Sequence, residues 1–166
     1  IRSRGLGDVY KRQAFENPRP DVVFGLHVFP FPAGTIATRP GGLMASSDRH
    51  QITIKGKQTH GAVPWAGVDP IVTASQVVLG LQTIFSRQQE DTLTHSIVTI
   101  GRVEGGVRNN IIPESVELEG TIRTFDAETR IDIHKRIRRT ATNIAEAAGA
   151  TADVVIDQGY GVTRND

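Results

Sequence analysis

Between Asp48 and Ile156 the apolar residues change period several times, and that succession constrains the fold more tightly than anything else in the chain. Ile52 and Ile54 alternate with Gln51, Thr53 and Lys55, the period-two pattern of a strand buried on one face. A polar loop from Gly56 to Val68 follows, holding His60 and Pro64. Asp69 is then a good N-cap and Pro70 suits the first helical position. Ile71, Ala74, Val78, Leu81 and Phe85 recur at helical spacing and predict one buried stripe. Gly80 weakens that helix by ~1 kcal/mol relative to alanine, so its packed face has to support it. The polar linker Ser86 to Thr94 leads to a second strand at Ser96 to Gly101. Gly105, Gly106 and Arg108 to Asn110 form a loop that Pro113 closes. In the third strand Val116, Leu118 and Ile122 face one way, and Glu117, Glu119, Thr121 and Arg123 the other. Asp126 caps a second helix whose stripe is Ile133, Ile137, Ala141, Ile144 and Ala148, ended by Gly149. Ala152, Val154 and Ile156 mark a fourth strand.

The order is β-α-β-β-α-β, an α+β fold: a ferredoxin-like four-stranded antiparallel sheet with two helices on one face. The other sheet face is left for solvent or a partner. The segment ahead does not belong to this unit. Val22 to Val28 is a nearly continuous apolar run, the pattern of a strand buried on both faces. Thr35 to Ala45 adds a second extended piece, interrupted at Pro40, Gly41 and Gly42. Two orphan strands with no sheet of their own point to a further, α/β domain. Residues 1–13 lack the apolar stretch of a secretory signal and resemble translated adapter sequence, so they read as a non-native or disordered tail. The expected division is 1–13 tail, 14–47 a fragment of that further domain, 48–159 the ferredoxin-like domain, and 160–166 a truncated return to it.

Composition narrows the partners. A net charge of +1 over 166 residues gives no electrostatic case for nucleic acid or an anionic membrane. No apolar run approaches the ~20 residues of a membrane helix. The absence of cysteine excludes disulfides and thiolate metal sites and is compatible with a cytoplasmic setting. Arg130, Lys135, Arg136, Arg138 and Arg139 cluster on the second helix, but Glu128, Asp132 and Glu146 offset them and no aromatics are interleaved. That run reads as a solvated helix face.

The polar residues alone leave two readings each. His27, near the end of the buried run, is either a core histidine bonded to a carbonyl or one ligand of a metal, since strand ends are where α/β proteins place ligands. His60 is either a solvated loop histidine or a working group. Asn110 either makes a turn or binds a ligand, and Arg123 either pairs with Glu119 across the sheet or binds an anion. His50 falls on the apolar side of its strand and reads as structural, while His95 and His134 suggest no role.

Gly25–Val28, Gly42–Ala45, Lys55–Pro64 with Gly67–Ile71, Asn110–Pro113 and Gly120–Phe125 together resemble the hippurate hydrolase and aminoacylase type of amidohydrolase, the M-20 metallo-hydrolases. The resemblance runs from Pro20 to Asp166. It implies a fragment of an enzyme that hydrolyses the amide of N-acyl amino acids, with two divalent metal ions (zinc, manganese or similar) in a catalytic domain and an inserted lid that forms a homodimer. It implies that His27 is a metal ligand, that His60 reaches the partner subunit's site to steady the oxyanion, and that Asn110 and Arg123 hold the substrate carboxylate. The remaining metal ligands and the general base have no counterpart here, so the isolated stretch is expected to be inactive. The contrasting expectation is a free-standing, non-catalytic ferredoxin-like module for self-association or small-molecule binding.

Overall fold

The computed structural model describes residues 21–22, 24–89 and 95–166. The chain divides into two compact units, Ile1–Ala37 and Thr38–Asp166. The expected tail at 1–13 lies outside the described residues.

In the first unit the described residues form no strand and are exposed throughout. The strand expected at Val22–Val28 is therefore absent, with Val23 itself outside the described residues. Phe24, Leu26 and Val28 are about nine-tenths exposed. A strand meant for burial on both faces has nothing to pair with here, and isolated strands are not stable in water. Local contacts remain: the Phe29 and Phe31 rings stack at 5.8 Å, and the Thr35 amide donates to the Pro32 carbonyl at 3.1 Å.

The second unit opens with β1 (Gly41–Met44), which is no orphan. It pairs antiparallel with the last strand of the chain, β8 (Thr163–Asn165). Between these lie β2 (Ser47–Lys55), β3 (Thr59–His60), α1 (Pro70–Thr83), β4 (Ser96–Gly105), β5 (Ile111–Ile112), β6 (Ser115–Thr124), α2 (Ala127–Ala147) and β7 (Thr151–Tyr160). The main sheet has the order β4-β6-β2-β7, antiparallel throughout, with β4 and β7 as edges. This is the expected ferredoxin-like arrangement, and both helices pack on one face.

The helix starts follow from their caps. Asp69 accepts from the Ile71 and Val72 amides, and Asp126 from those of Glu128 and Thr129. Such caps contribute about 1 kcal/mol each. Gly149, at φ +73°, lets α2 end in a left-handed turn. The core joins Ile52, Ile54, Val116, Leu118 and Ile122 of the sheet to Ala74, Val77 and Leu81 of α1 and to Ile133, Ile137, Ala141 and Ala145 of α2. The α1 stripe is rotated from the expected one: Val77 is buried while Ile71 is 45% exposed. Gly80 is the reason. A Cβ there would lie 2.5 Å from Ile144 Cδ1 and 3.2 Å from Thr140 Cγ2, so α2 crosses α1 over the glycine. On α2, Ala145 replaces Ala148 in the buried stripe. A π-helical turn, Ile84–Gln88, extends α1 where a polar linker was expected, and the rest of that linker, 90–94, lies outside the described residues.

The open sheet face is solvated and charged. Arg49 bonds Glu119 at 2.7 Å, Arg102 lies 3.5 Å from Glu119, and Lys55 pairs with Asp153.

Candidate functional site

The loop carrying His60 is folded, not slack. Lys57 and Val68 exchange main-chain hydrogen bonds at 2.9 and 3.0 Å, closing its base. That closure requires glycine at both flanks: a Cβ on Gly56 would sit 2.2 Å from the Val68 carbonyl, and one on Gly67 2.5 Å from the Lys57 carbonyl. From this base β3 and β5 form a short ribbon, pairing Thr59 with Ile112 and His60 with Ile111. The Gly61 amide extends it by donating to the Asn110 carbonyl at 2.8 Å. His60 and Asn110 are thereby held side by side at one end of the domain, both exposed.

The His60 ring is oriented. The Ala62 backbone amide donates to its Nδ1 at 3.0 Å. A backbone N–H can only donate, so Nδ1 is the acceptor and the neutral ring carries its proton on Nε2. His27 has the opposite tautomer: its Nδ1 donates to the Val28 carbonyl at 2.7 Å, which leaves the lone pair on Nε2.

Arg123 is not part of the His60 cluster. It lies near the far end of β6, and Ser115 to Arg123 alone spans roughly 27 Å at the usual rise of ~3.4 Å per residue. The pairing with Glu119 foreseen as an alternative does not form: the two residues lie four apart on one strand, about 14 Å along it, and Arg49 and Arg102 take that carboxylate. Arg123 instead donates to Ser47 Oγ and to the Ile122 carbonyl.

Behind Arg123, on the helix side of the sheet, lies a cluster the sequence did not reveal. The Asp48 carboxylate is fully buried and accepts from Arg130 through both Nε (2.8 Å) and Nη2, from His134 Nε2 (2.8 Å) and from the Gly159 amide (2.9 Å). Burial raises the Asp48 pKa, but the Arg130, Gly159 and His134 bonds outweigh it and hold the carboxyl below its ordinary 3.8. The helical run read as solvated is thus partly structural. Its signal was available: Arg130 and His134 are four apart and share one helix face. His50 is buried as expected, with Nε2 3.2 Å from the Thr99 carbonyl and Nδ1 without a described partner.

No three His, Cys, Asp or Glu among the described residues converge as a metal site. The single exposed His27 does not make one, so the residues present do not fit a metal centre by themselves. No helix among the described residues is long and apolar enough to cross a membrane.

Residues 47–148 match the model of the peptidase dimerisation domain of the M20 peptidases. The chain belongs to that family. It is 44% identical over 133 residues to an N-acetylcysteine deacetylase of Bacillus subtilis, covering 80% of this chain and 35% of the deacetylase. It is 36% identical over 163 residues to an N-acetyldiaminopimelate deacetylase of Exiguobacterium sibiricum, covering 98% and 44%. A dinuclear metal-binding M20 peptidase of known structure from Bacillus subtilis superposes with a TM-score of 0.63 at 37% identity, covering 82% of this chain and 32% of that one. The chain thus spans well under half the length of these relatives. They support the M20 deacetylases as the related group, a broader kinship than hippurate hydrolase in particular.

Proposed function

We propose that this M20 dimerisation domain serves a metal-dependent hydrolase that cleaves the amide bond of N-acyl amino acids, the hippurate-like substrates included. Residues 14–47 belong to the catalytic domain, 48–159 form the lid, and 160–166 return. The observation that carries this reading is the fixed Nε2–H of His60 beside Asn110, on a ribbon pinned by two glycine contacts.

Attack on an amide carbonyl gathers negative charge on its oxygen. A preorganised donor there contributes about 2.7–4 kcal/mol to the transition state. His60 supplies that donor without needing to become charged. Asn110 offers a neighbouring amide, and Arg123 an anion-binding fork for the substrate carboxylate. Divalent metal ions, in keeping with the dinuclear metal-binding relative, would supply the Lewis acid and activated water. His27, with Nδ1 already bonded to a carbonyl and Nε2 bare, has the form of one ligand among several.

A small N-acyl amino acid cannot bridge one copy's Arg123 and its His60–Asn110 ribbon, which joins β6 at the opposite end, since β6 alone spans ~27 Å from Ser115 to Arg123. Two copies solve this: His60 and Asn110 of one serve the site beside Arg123 of the other. The edge suited to the pairing is β4. Its flank is an apolar groove of about 430 Å³, lined by Ile71, Val78, Leu79, Val103 and Leu118. Leu79 and Val103 remain 70% and 62% exposed, and exposed apolar patches beside an open edge mark association sites. The test is steady-state kinetics of the whole hydrolase that carries this domain, on N-acetyl and N-benzoyl amino acids: His60→Ala should lower kcat by about 10²–10³ with little change in KM. Unchanged kcat would remove His60 from the mechanism.

A further inference from the structure

The sheet has two edges, β4 and β7, and the middle of one of them is capped by a side chain. The Ser46 amide donates to the Thr124 carbonyl, and the Gly56 amide to the Glu114 carbonyl. Hydrogen-bonded pairs alternate along an antiparallel ladder, so the even-numbered residues of β2 turn their main-chain groups toward β6 and the odd-numbered ones toward β7. The pair Ile52–Val154 is consequently a non-bonded pair across β2 and β7. The Val154 N–H and C=O therefore face outward at the free edge, where they would template another strand.

The Val154 carbonyl is already taken. Arg138 of α2 reaches over the edge and donates to it. One helical stripe at spacing four, Arg130, His134 and Arg138, thus fastens α2 along this side of the sheet: Arg130 and His134 to Asp48, Arg130 also to the Gly159 carbonyl at 3.3 Å, and Arg138 to Val154. On β4 the same parity turns the main-chain groups of Val98, Ile100 and Val103 outward, and Val103 lines the apolar groove.

We infer that Arg138 seals the β7 edge so that a second copy of this chain can add only at β4. The inference rests on the proposed edge-to-edge pairing. Pairing at one edge about a two-fold axis closes at two copies, whereas two usable edges make an open, growing sheet.

Analytical ultracentrifugation of the purified protein at rising concentration tests this, with Arg138→Ala and the double variant Arg138→Ala/Val155→Lys alongside. Val155 is exposed on the outer face of β7, and a lysine there repels an incoming strand without touching the core. The wild type should remain a dimer. Arg138→Ala should form larger species that grow with concentration, and the double variant should return to the dimer. An Arg138→Ala protein that stays dimeric overturns the inference, as do large species that persist in the double variant, since those report misfolding. A wild type that is monomeric throughout defeats the β4 pairing separately; the seal then stands only if Arg138→Ala associates and the lysine reverses it.

Discussion

The Ala62 amide donates to Nδ1 of His60 at 3.0 Å, and that one bond decides which ring nitrogen can act on a substrate. With Nδ1 occupied as an acceptor, the neutral imidazole presents Nε2–H outward. Nitrogen-15 shifts of the labelled ring at a pH where it is neutral should identify Nε2 as the protonated nitrogen. A ring protonated on Nδ1 contradicts the oxyanion role.

Asp48 makes stability acid-sensitive. Its folded pKa lies below 3.8 because the bonds from Arg130, Gly159 and His134 outweigh the opposing effect of burial. A depressed carboxylate contributes stability that is fully present above the unfolded value and is lost as pH falls through the folded one. Asp48→Ala leaves Arg130 without its partner and should cost about 3–5 kcal/mol, read by urea unfolding at neutral pH. The difference from wild type should shrink as pH drops below ~4.

His50 acts in the opposite sense. Burial lowers its pKa from 6.5, partly offset by the Thr99 carbonyl and Glu119. Below 6.5 the unfolded chain takes up a proton that the folded core resists, so this residue costs stability as pH falls through that window. His50→Leu should therefore raise Tm more at pH 5 than at pH 8. Equal shifts at both would show that the imidazole is not buried as a neutral ring.

Gly120 is the space into which His50 reaches. A Cβ there would lie 1.8 Å from the Thr99 carbonyl oxygen and 2.5 Å from His50 Nε2, and the former is backbone that cannot step aside. Gly120→Ala should destabilise by several times the ~1 kcal/mol that an ordinary strand substitution changes, measured by thermal melting. A melt unchanged from wild type would mean that β4 and β6 are not paired this closely.

The order of elements was legible because each stretch has its own period and its own cap: Ile52 and Ile54, Asp69, Asp126 and Gly149 state their roles locally. What the sequence hid was long-range. Asp48 binds Arg130 and His134 across more than eighty residues, and periodicity says nothing about such a partner. Gly80 is a weak point by helix propensity alone, but Ile144 packs directly over it. The strand expected at Val22–Val28 failed for the complementary reason: its pattern describes a burial that needs neighbouring strands. At the candidate site, His60 and Asn110 could be picked out by resemblance, but their adjacency and the remoteness of Arg123 follow only from the β3–β5 and β2–β6 registers.

The most direct test mixes two disabled proteins. In the whole hydrolase that carries this domain, His60→Ala and Arg123→Ala homodimers should each be nearly inactive toward an N-acyl amino acid. After subunit exchange, a mixed dimer has one site lacking both groups and one site with both intact, so activity should return to roughly a quarter of wild type. No recovery despite verified exchange would mean that His60 and Arg123 of one copy serve the same site, contradicting the geometry from which the two-copy site is built.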